Sequence, residues 1–470
     1  MKRKPQAKTR QRHSKRGKRE QKLLEKIHLN AAGIDIGSGS HWVAVPEDRD
    51  EQPVREFRSF THELIELAVW LEACGIDTVA MESTGVYWVP LYEILEERGI
   101  EVLLVNARHV KNVPGRKSDV FYCQWIQQLH TFGLLRGSFR PNAEITAIRT
   151  LVRHRDKLVE EAAACIQRMQ KALTLMNLQL HKVISDVTGV TGMLILRDIV
   201  AGETDPTVLA RHRNPRCKAS EEEIAASLTG HYRDEHLFVL RQQLEVYDFY
   251  QEKIHRCDEQ IEIRIHALEA PCESPARELP APRRPSPKRK PQDNAPSFEI
   301  RSPLFKLSGG VDLTELPGIG PYGALKLISE IGLDMHCWPT EHHFTSWLTL
   351  APSNKISGGK LLSSRTQPSA NRAAKILRIA AMALHRSDHA LGAFYRRLAA
   401  RTDKPKAITA TARKLAILVY RMLKYKMPYH EPSAAEYDKR QHTRILRGLR
   451  KRAKSIGFDL VDTSTGLVMS

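Results

Sequence analysis

Short apolar stretches begin abruptly at Ala31, after a polar, cationic run with almost no apolar residue before Leu23. AAGIDIG and HWVAV read as two short strands joined by a Gly/Ser turn, and the alternating VREFRSF as a third. HELIELAVWLEACG has the three-and-four spacing of an amphipathic helix ending at Gly75. DTVAME is then a buried strand, VYWVPLYEILEERG a helix ending at Gly99, and IEVLLVN another strand. SDVFYCQWIQQLHTFG opens a further helix with Ser118 as its N-cap. Three hairpin-type strands followed by strand-helix alternation predict a mixed sheet flanked by helices.

Beyond residue 140 the periodicity is helical, with long runs such as ITAIRTLVRHRDKLVEEAAACIQRMQKALTLM and FVLRQQLEVYDFYQEKIHRCDEQIEIRIHAL. Apolar positions recur at three and four between Arg and Lys faces. That spacing fits a helical hairpin and a dimerising coiled coil equally. The stretch PCESPARELPAPRRPSPKRKPQDNAPSFEIRSP is too rich in Pro, Ser and cations to build a core and reads as a flexible linker. LTELPGIGPYGALKLISEIG and a long helical region follow, then a tail whose Arg and Lys lie along a short helix. These shifts divide the chain into a disordered basic arm (1–29), a mixed-sheet domain (30–140), a helical region (141–268) and a Pro-rich linker (269–303). A mainly helical second domain (304–430) and a basic tail (431–470) complete it.

Charge narrows the partners. The formal net charge of +19 over 470 residues points to a polyanion, because each Lys or Arg that neutralises a phosphate releases a counterion. Lys and Arg in residues 1–22 and 439–454 are expected to contact phosphates. No apolar run approaches the roughly 18 residues that span a bilayer, and no apolar segment follows the N-terminal charges as in a secretory signal. The seven cysteines form no CxxC pair, which argues against a disulfide framework or a structural zinc site and fits a reducing cytoplasm.

Two constellations carry candidate chemistry. Asp35 lies inside the first strand, Glu82 ends a later one in VAMESTG, and Asp119 stands in the first turn of the helix after Ser118. Singly, each has an ordinary explanation: a water-facing strand residue, a sheet-edge residue, a helix-start acid. Together, carboxylates from a first strand, a strand end and a helix start can converge as hard oxygen ligands for Mg²⁺ or Mn²⁺. A pair of such ions, roughly 4 Å apart, would activate a nucleophile at phosphorus. The second constellation is Ser357, followed by Gly358 and Gly359, with Lys355, Lys360 and Arg365 close by. A serine in a Gly-rich loop is commonplace, but this one can project its hydroxyl among cations that favour attack on a phosphodiester. Arg372, Lys375 and Arg378 recur at three-residue steps on one helix face. LPGIGPYGA has the turn of a helix-hairpin-helix element or of a plain helix-helix connection, and Gly318 and Gly320 would let a phosphate approach the backbone.

Read in order, GIDIG, MESTGVYWVPLYEILEERGIEVLLVN, VPGRKSDV with CQWIQQLHTFGLL, LPGIGPYGA and LAPSNKISGGKLLSSRTQPSANRAA resemble the DEDD transposases of the insertion-sequence 110 family, in particular its 1111 branch. The resemblance runs from about residue 31 to 430. It implies a RuvC-like, RNase H-type nuclease domain, a helical coiled-coil region and a mainly helical transposase domain with a helix-hairpin-helix element and a catalytic serine. Carried over by motif, the metal-binding acids fall on Asp35, Glu82 and Asp119 and the serine on Ser357. The fourth acid should come three residues after Asp119, where this chain has Tyr122, a poor ligand because a phenol stays protonated at neutral pH. Two Mg²⁺ or Mn²⁺ ions are thus expected, with occupancy lowered by Tyr122. The serine would form a 5′-phosphoserine link to donor and target DNA, while an element-encoded structured RNA chooses both sites by base pairing. Lys117, Lys355, Lys360, Arg365, Arg372 and Arg378 would contact nucleic acid. The family pattern also implies homodimers pairing into tetramers and a nucleoid-associated, cytoplasmic protein. A Holliday-junction-type nuclease with no covalent intermediate, or a nucleic-acid-binding homologue with decayed sites, are the competing readings.

Overall fold

Five apolar runs pair as strands because their alternation buries both faces of the sheet under flanking helices. The computed structural model describes residues 25–106, 118–269, 278–281, 294–430 and 434–461. The chain divides into two compact units, residues 1–140 and 141–470. In the first unit the order is β1 (Ala31–Ile36), β2 (Ser40–Ala44), β3 (Val54–Arg58), α1 (Thr61–Ala73), β4 (Thr78–Glu82), α2 (Trp88–Glu97), β5 (Glu101–Val105) and α3 (Asp119–Thr131). The sheet order is β3-β2-β1-β4-β5. β1, β2 and β3 pair antiparallel, whereas β4 and β5 run parallel to β1, so the mixed sheet expected from the sequence is present.

Ile34, Ile36 and Val43 enter one core with Leu67 and Leu71 of α1 and Leu91 and Leu95 of α2. A smaller core on α3 joins Ala80, Val105 and Ile126. Gly33 makes the close seating of α3 possible, since a Cβ there would run into the backbone of Cys123 and Gln127. Helix α3 starts where the sequence indicates: the Ser118 side chain accepts from the Phe121 N–H.

In the second unit, α4 (Ala143–Leu175) is capped by Asn142, whose side chain accepts from the Ile145 N–H. It packs along α7 (Asp234–Glu269). Arg168 reaches Gln243 while Arg155, earlier in the chain, reaches Asp258, so the two helices run antiparallel as a hairpin within one chain. Between them α5 (Val190–Ala201) and α6 (Glu221–Ser227) close a separate apolar core around Leu173, Leu196, Ile224 and Leu240. Val239, Val246, Phe249 and Ile263 of α7 remain exposed.

The hairpin is tied to the later part of the chain by a buried cation. Arg155, 1% exposed, pairs with Asp258, 3% exposed, donates to the Asn294 carbonyl at 3.0 Å and lies over the Tyr322 ring. Of the Pro-rich stretch expected to be a loose linker, residues 294–303 are therefore packed. The Ser297 N–H also donates to Asp258, and Ile300 is buried. Residues 270–277 and 282–293 of that stretch, and 1–24 of the basic arm, lie outside the described residues.

Next come α8 (Pro321–Ile331), α9 (Glu341–Trp347), β6 (Lys355–Ser357), β7 (Lys360–Ser363), α10 (Arg372–Ala383), α11 (Ala390–Arg401), α12 (Lys404–Tyr425) and α13 (Ala434–Ser455). Helix α12 is the axis of this part, with α9, α10 and α11 packed on it and Leu415, Ala416 and Val419 fully buried. Its Tyr420 hydroxyl donates to the Trp338 carbonyl at 2.8 Å. Helix α13 lies against α11. The six described cysteines are free. Among the described residues no helix is long and apolar enough to cross a membrane.

Candidate active site

On β1 the isoleucines flanking Asp35 face the α1 core, so strand alternation turns Asp35 toward the α3 side. Glu82 ends β4 beside Val105 of β5 and is 3% exposed. The turn after it is fixed by Ser83, whose N–H and hydroxyl both donate to the Val105 carbonyl. Thr84 donates its hydroxyl to Glu82 Oε1 at 2.6 Å, and the Tyr122 phenol donates to Glu82 Oε2. Both oxygens of this buried carboxylate are thus held by neutral donors.

Tyr122 is one turn into α3, where it reaches back over the sheet. Burial raises its pKa far above the ordinary phenol value, and the hydrogen bond it donates to Glu82 and the charges of Glu82 and Asp35 add to that rise. The phenol therefore stays protonated and can only serve as a donor to Glu82. Asp119, three residues before Tyr122, lies at the exposed start of α3. Cys123 is no nucleophile. Burial pushes its thiol up to about 12, and Asp35 and Asp119 both act in the same direction.

The structure thus brings Asp35 and Glu82 to one phenol and leaves Asp119 at the helix start. Among the described residues no three His, Cys, Asp or Glu side chains converge to hold a metal ion. At the fourth position the Tyr122 phenol supplies a hydrogen-bond donor to Glu82 where an acid would supply a further carboxylate. Thr84 escaped the sequence reading, although a hydroxyl two residues after a strand-end acid is the type of residue that could have pointed to it.

Ser357 is the last residue of β6. Gly358 and Gly359 form the two-residue turn into β7 with φ of +52° and +76°, the doubly positive backbone that suits a tight hairpin and that side chains with a Cβ avoid. Ser357 lies directly opposite Lys360, and Ile356 opposite Leu361. Because successive residues of a strand point to opposite faces, the Ser357 hydroxyl and the Lys360 ammonium share one face of the ribbon. The ribbon is solvent-exposed throughout Lys355–Ser357, with Ile356 at 65% and Leu361 at 58% exposure. Arg365, Arg372 and Lys375 are exposed and Arg378 is half-buried. The last three stand on α10 opposite its buried Ala373, Ala374 and Leu377.

The remaining predicted contacts divide. Gly320 is the N-cap of α8. Gly318 has a φ of +86°, but its missing Cβ also serves packing, since one would meet the Ala380 carbonyl of α10 at 2.6 Å. A single 3₁₀ turn, Leu313–Glu315, precedes this loop. Lys117 lies outside the described residues.

Two segments match transposase family models. Residues 32–178 match the DEDD transposase model of the IS110 group. Residues 312–396 match that of the transposase IS116/IS110/IS902 family. Both are transposase domains. The first contains Asp35, Glu82, Asp119 and Tyr122, and the second contains Ser357. No curated protein matches the chain. Together the two domains support an insertion-sequence transposase, an enzyme that cuts and joins DNA. DEDD transposases of this kind typically use divalent metal ions.

Proposed function

We propose that this transposase is an RNA-guided recombinase of the 1111 branch that excises and inserts its element through a covalent serine intermediate. Ser357 Oγ attacks a DNA phosphorus; the Oγ–P bond forms as the P–O3′ bond breaks. The serine proton passes to a base and the 3′ oxygen leaves as a hydroxyl. Attack on the phosphoserine by the 3′-hydroxyl of a second strand restores the serine and joins the strands. Lys355, Lys360 and Arg365 hold the phosphate that carries the developing charge. An element-encoded RNA pairs with donor and target, so the protein reads backbones rather than bases.

The observation that supports this reading is the exposed ribbon. A serine beside a doubly glycine turn, sharing its face with Lys360 and ringed by unburied cations, lies within the second transposase segment. The RuvC-like unit offers Asp35, Glu82 and Asp119 to Mg²⁺ or Mn²⁺, with affinity lowered by the Tyr122 phenol. Subunits are expected to pair as dimers and tetramers, and the exposed apolar residues of α7 suit such a contact.

Incubating the full chain with guide RNA and end-labelled DNA, then denaturing it, tests the serine step. A protein-linked 5′ end is expected, absent in Ser357→Ala. Cleavage that leaves only free ends would overturn the proposal in favour of a nuclease. The engagement of Glu82 by Tyr122 favours one second reading, a binding homologue with decayed cleavage, for which neither adduct nor cleavage would form.

A further inference from the structure

Beside α13 the second unit encloses a cavity of about 360 Å³ that neither the serine ribbon nor the acids use. That volume is within the range of small-ligand sites, about 300–1,000 Å³. Its walls come from α11, α12, the segment after α12 and α13. Phe394, Tyr429, His430 and Tyr437 give it aromatic surface, and Ile417 and Leu418 add apolar surface.

The cavity also has a polarity that an unfilled core would lack. Lys414 lines it with its ammonium 4.3 Å from the centre of the Phe394 ring. Arg397 lies 5.4 Å from the centre of the Tyr437 ring. The protein surroundings first, and then the guanidiniums of Arg397 and Arg444, hold Lys414 below the usual lysine range, so the three cations crowd one another. None of the three has an ion pair with an acid among the described residues. The Tyr437 hydroxyl is shielded from solvent and has no hydrogen-bond partner among them either. Asp438, next to Tyr437, is itself exposed.

An apolar aromatic slot edged by cations that have no acid partner among the described residues, with a hydroxyl beside them, matches a planar heteroaromatic ring carried on a phosphate. Stacking suits the ring, the hydroxyl an edge of the base, and the cations its phosphate. Lys439, Arg447, Lys451 and Lys454, all exposed, add positive charge to α13, the helix that supplies Tyr437. We propose that this cavity receives one unstacked base of a single-stranded nucleic acid whose phosphates lie along α13. The inference rests on the reading of the chain as a nucleic-acid enzyme and adds a site to it.

The test uses the full chain and short single strands carrying one internal abasic position, compared with the same strands intact, as RNA and as DNA. The intact strand is expected to bind roughly tenfold more tightly than the abasic one. Tyr437→Ala, at the half-exposed rim, is expected to erase that difference while leaving abasic affinity unchanged, and Tyr437→Phe to reduce it partly. The RNA and DNA arms show which strand supplies the base. Equal binding of intact and abasic strands, or a difference that survives Tyr437→Ala, would overturn the pocket alone. Failure to bind any strand would overturn the nucleic-acid reading beneath it as well.

Discussion

At position 122 one side chain decides what Glu82 can do. The Tyr122 phenol and the Thr84 hydroxyl both donate to a carboxylate that is almost completely buried, so each of its oxygens accepts a hydrogen bond from a neutral donor. A carboxylate in place of the phenol would bring a third negative charge beside Glu82 and Asp35, and that repulsion is relieved by a divalent ion. Tyr122→Asp is therefore expected to raise Mn²⁺ affinity of the full chain by roughly tenfold or more, on the scale of changes around metal ligands. Tyr122→Phe, which removes the donor without adding an acid, should produce no comparable gain. Titration calorimetry without nucleic acid measures both, and equal Mn²⁺ affinity in the wild type and Tyr122→Asp would remove the idea that Tyr122 limits the site.

At the scale of elements, the joint between the α4–α7 hairpin and the rest of its unit depends on Arg155. Its guanidinium has Asp258, the Asn294 carbonyl and the Tyr322 ring as partners, with almost no water. Removing one member of such a pair leaves the other charge buried and unpaired, at a cost of about 3–5 kcal/mol. Asp258→Ala should destabilise the second unit by that amount in chemical denaturation, and Arg155→Met with Asp258→Leu should recover much of it. A single-variant loss near zero would show the pair to be solvated. This joint was not legible in the sequence. An Arg and an Asp on two long polar-faced helices look like solvated residues, and only the tertiary return of residues 294–297 buries them. The strands were legible because each buries one face in alternation, as Ile34 and Ile36 do around Asp35, and α3 because Ser118 caps it. The acid site was half legible. The sequence shows that Tyr122 replaces an acid, but that its hydroxyl seeks Glu82 across the sheet depends on how Gly33 lets α3 settle on β1.

For the whole molecule, the excess of +19 charges has to be assigned to surfaces, and α13 is where the described residues display it most openly. Its Arg447, Lys451 and Lys454 fall on one helical face and are exposed, with no ion pair to an acid among the described residues. Phosphate contacts by such residues raise affinity through counterion release, so they appear in the salt dependence of binding rather than in sequence preference. Replacing all three by Gln should make the plot of log affinity against log salt shallower by roughly two to three, since each contact contributes about 0.7 on single strands and 0.9 on duplex. The loss should be the same for unrelated sequences, because these contacts read no base. It should also leave the intact-versus-abasic difference at Tyr437 in place, which separates the backbone track from the base pocket. An unchanged slope would place the phosphates elsewhere, on α10 or in the basic arm, and would detach the pocket from the strand proposed to fill it.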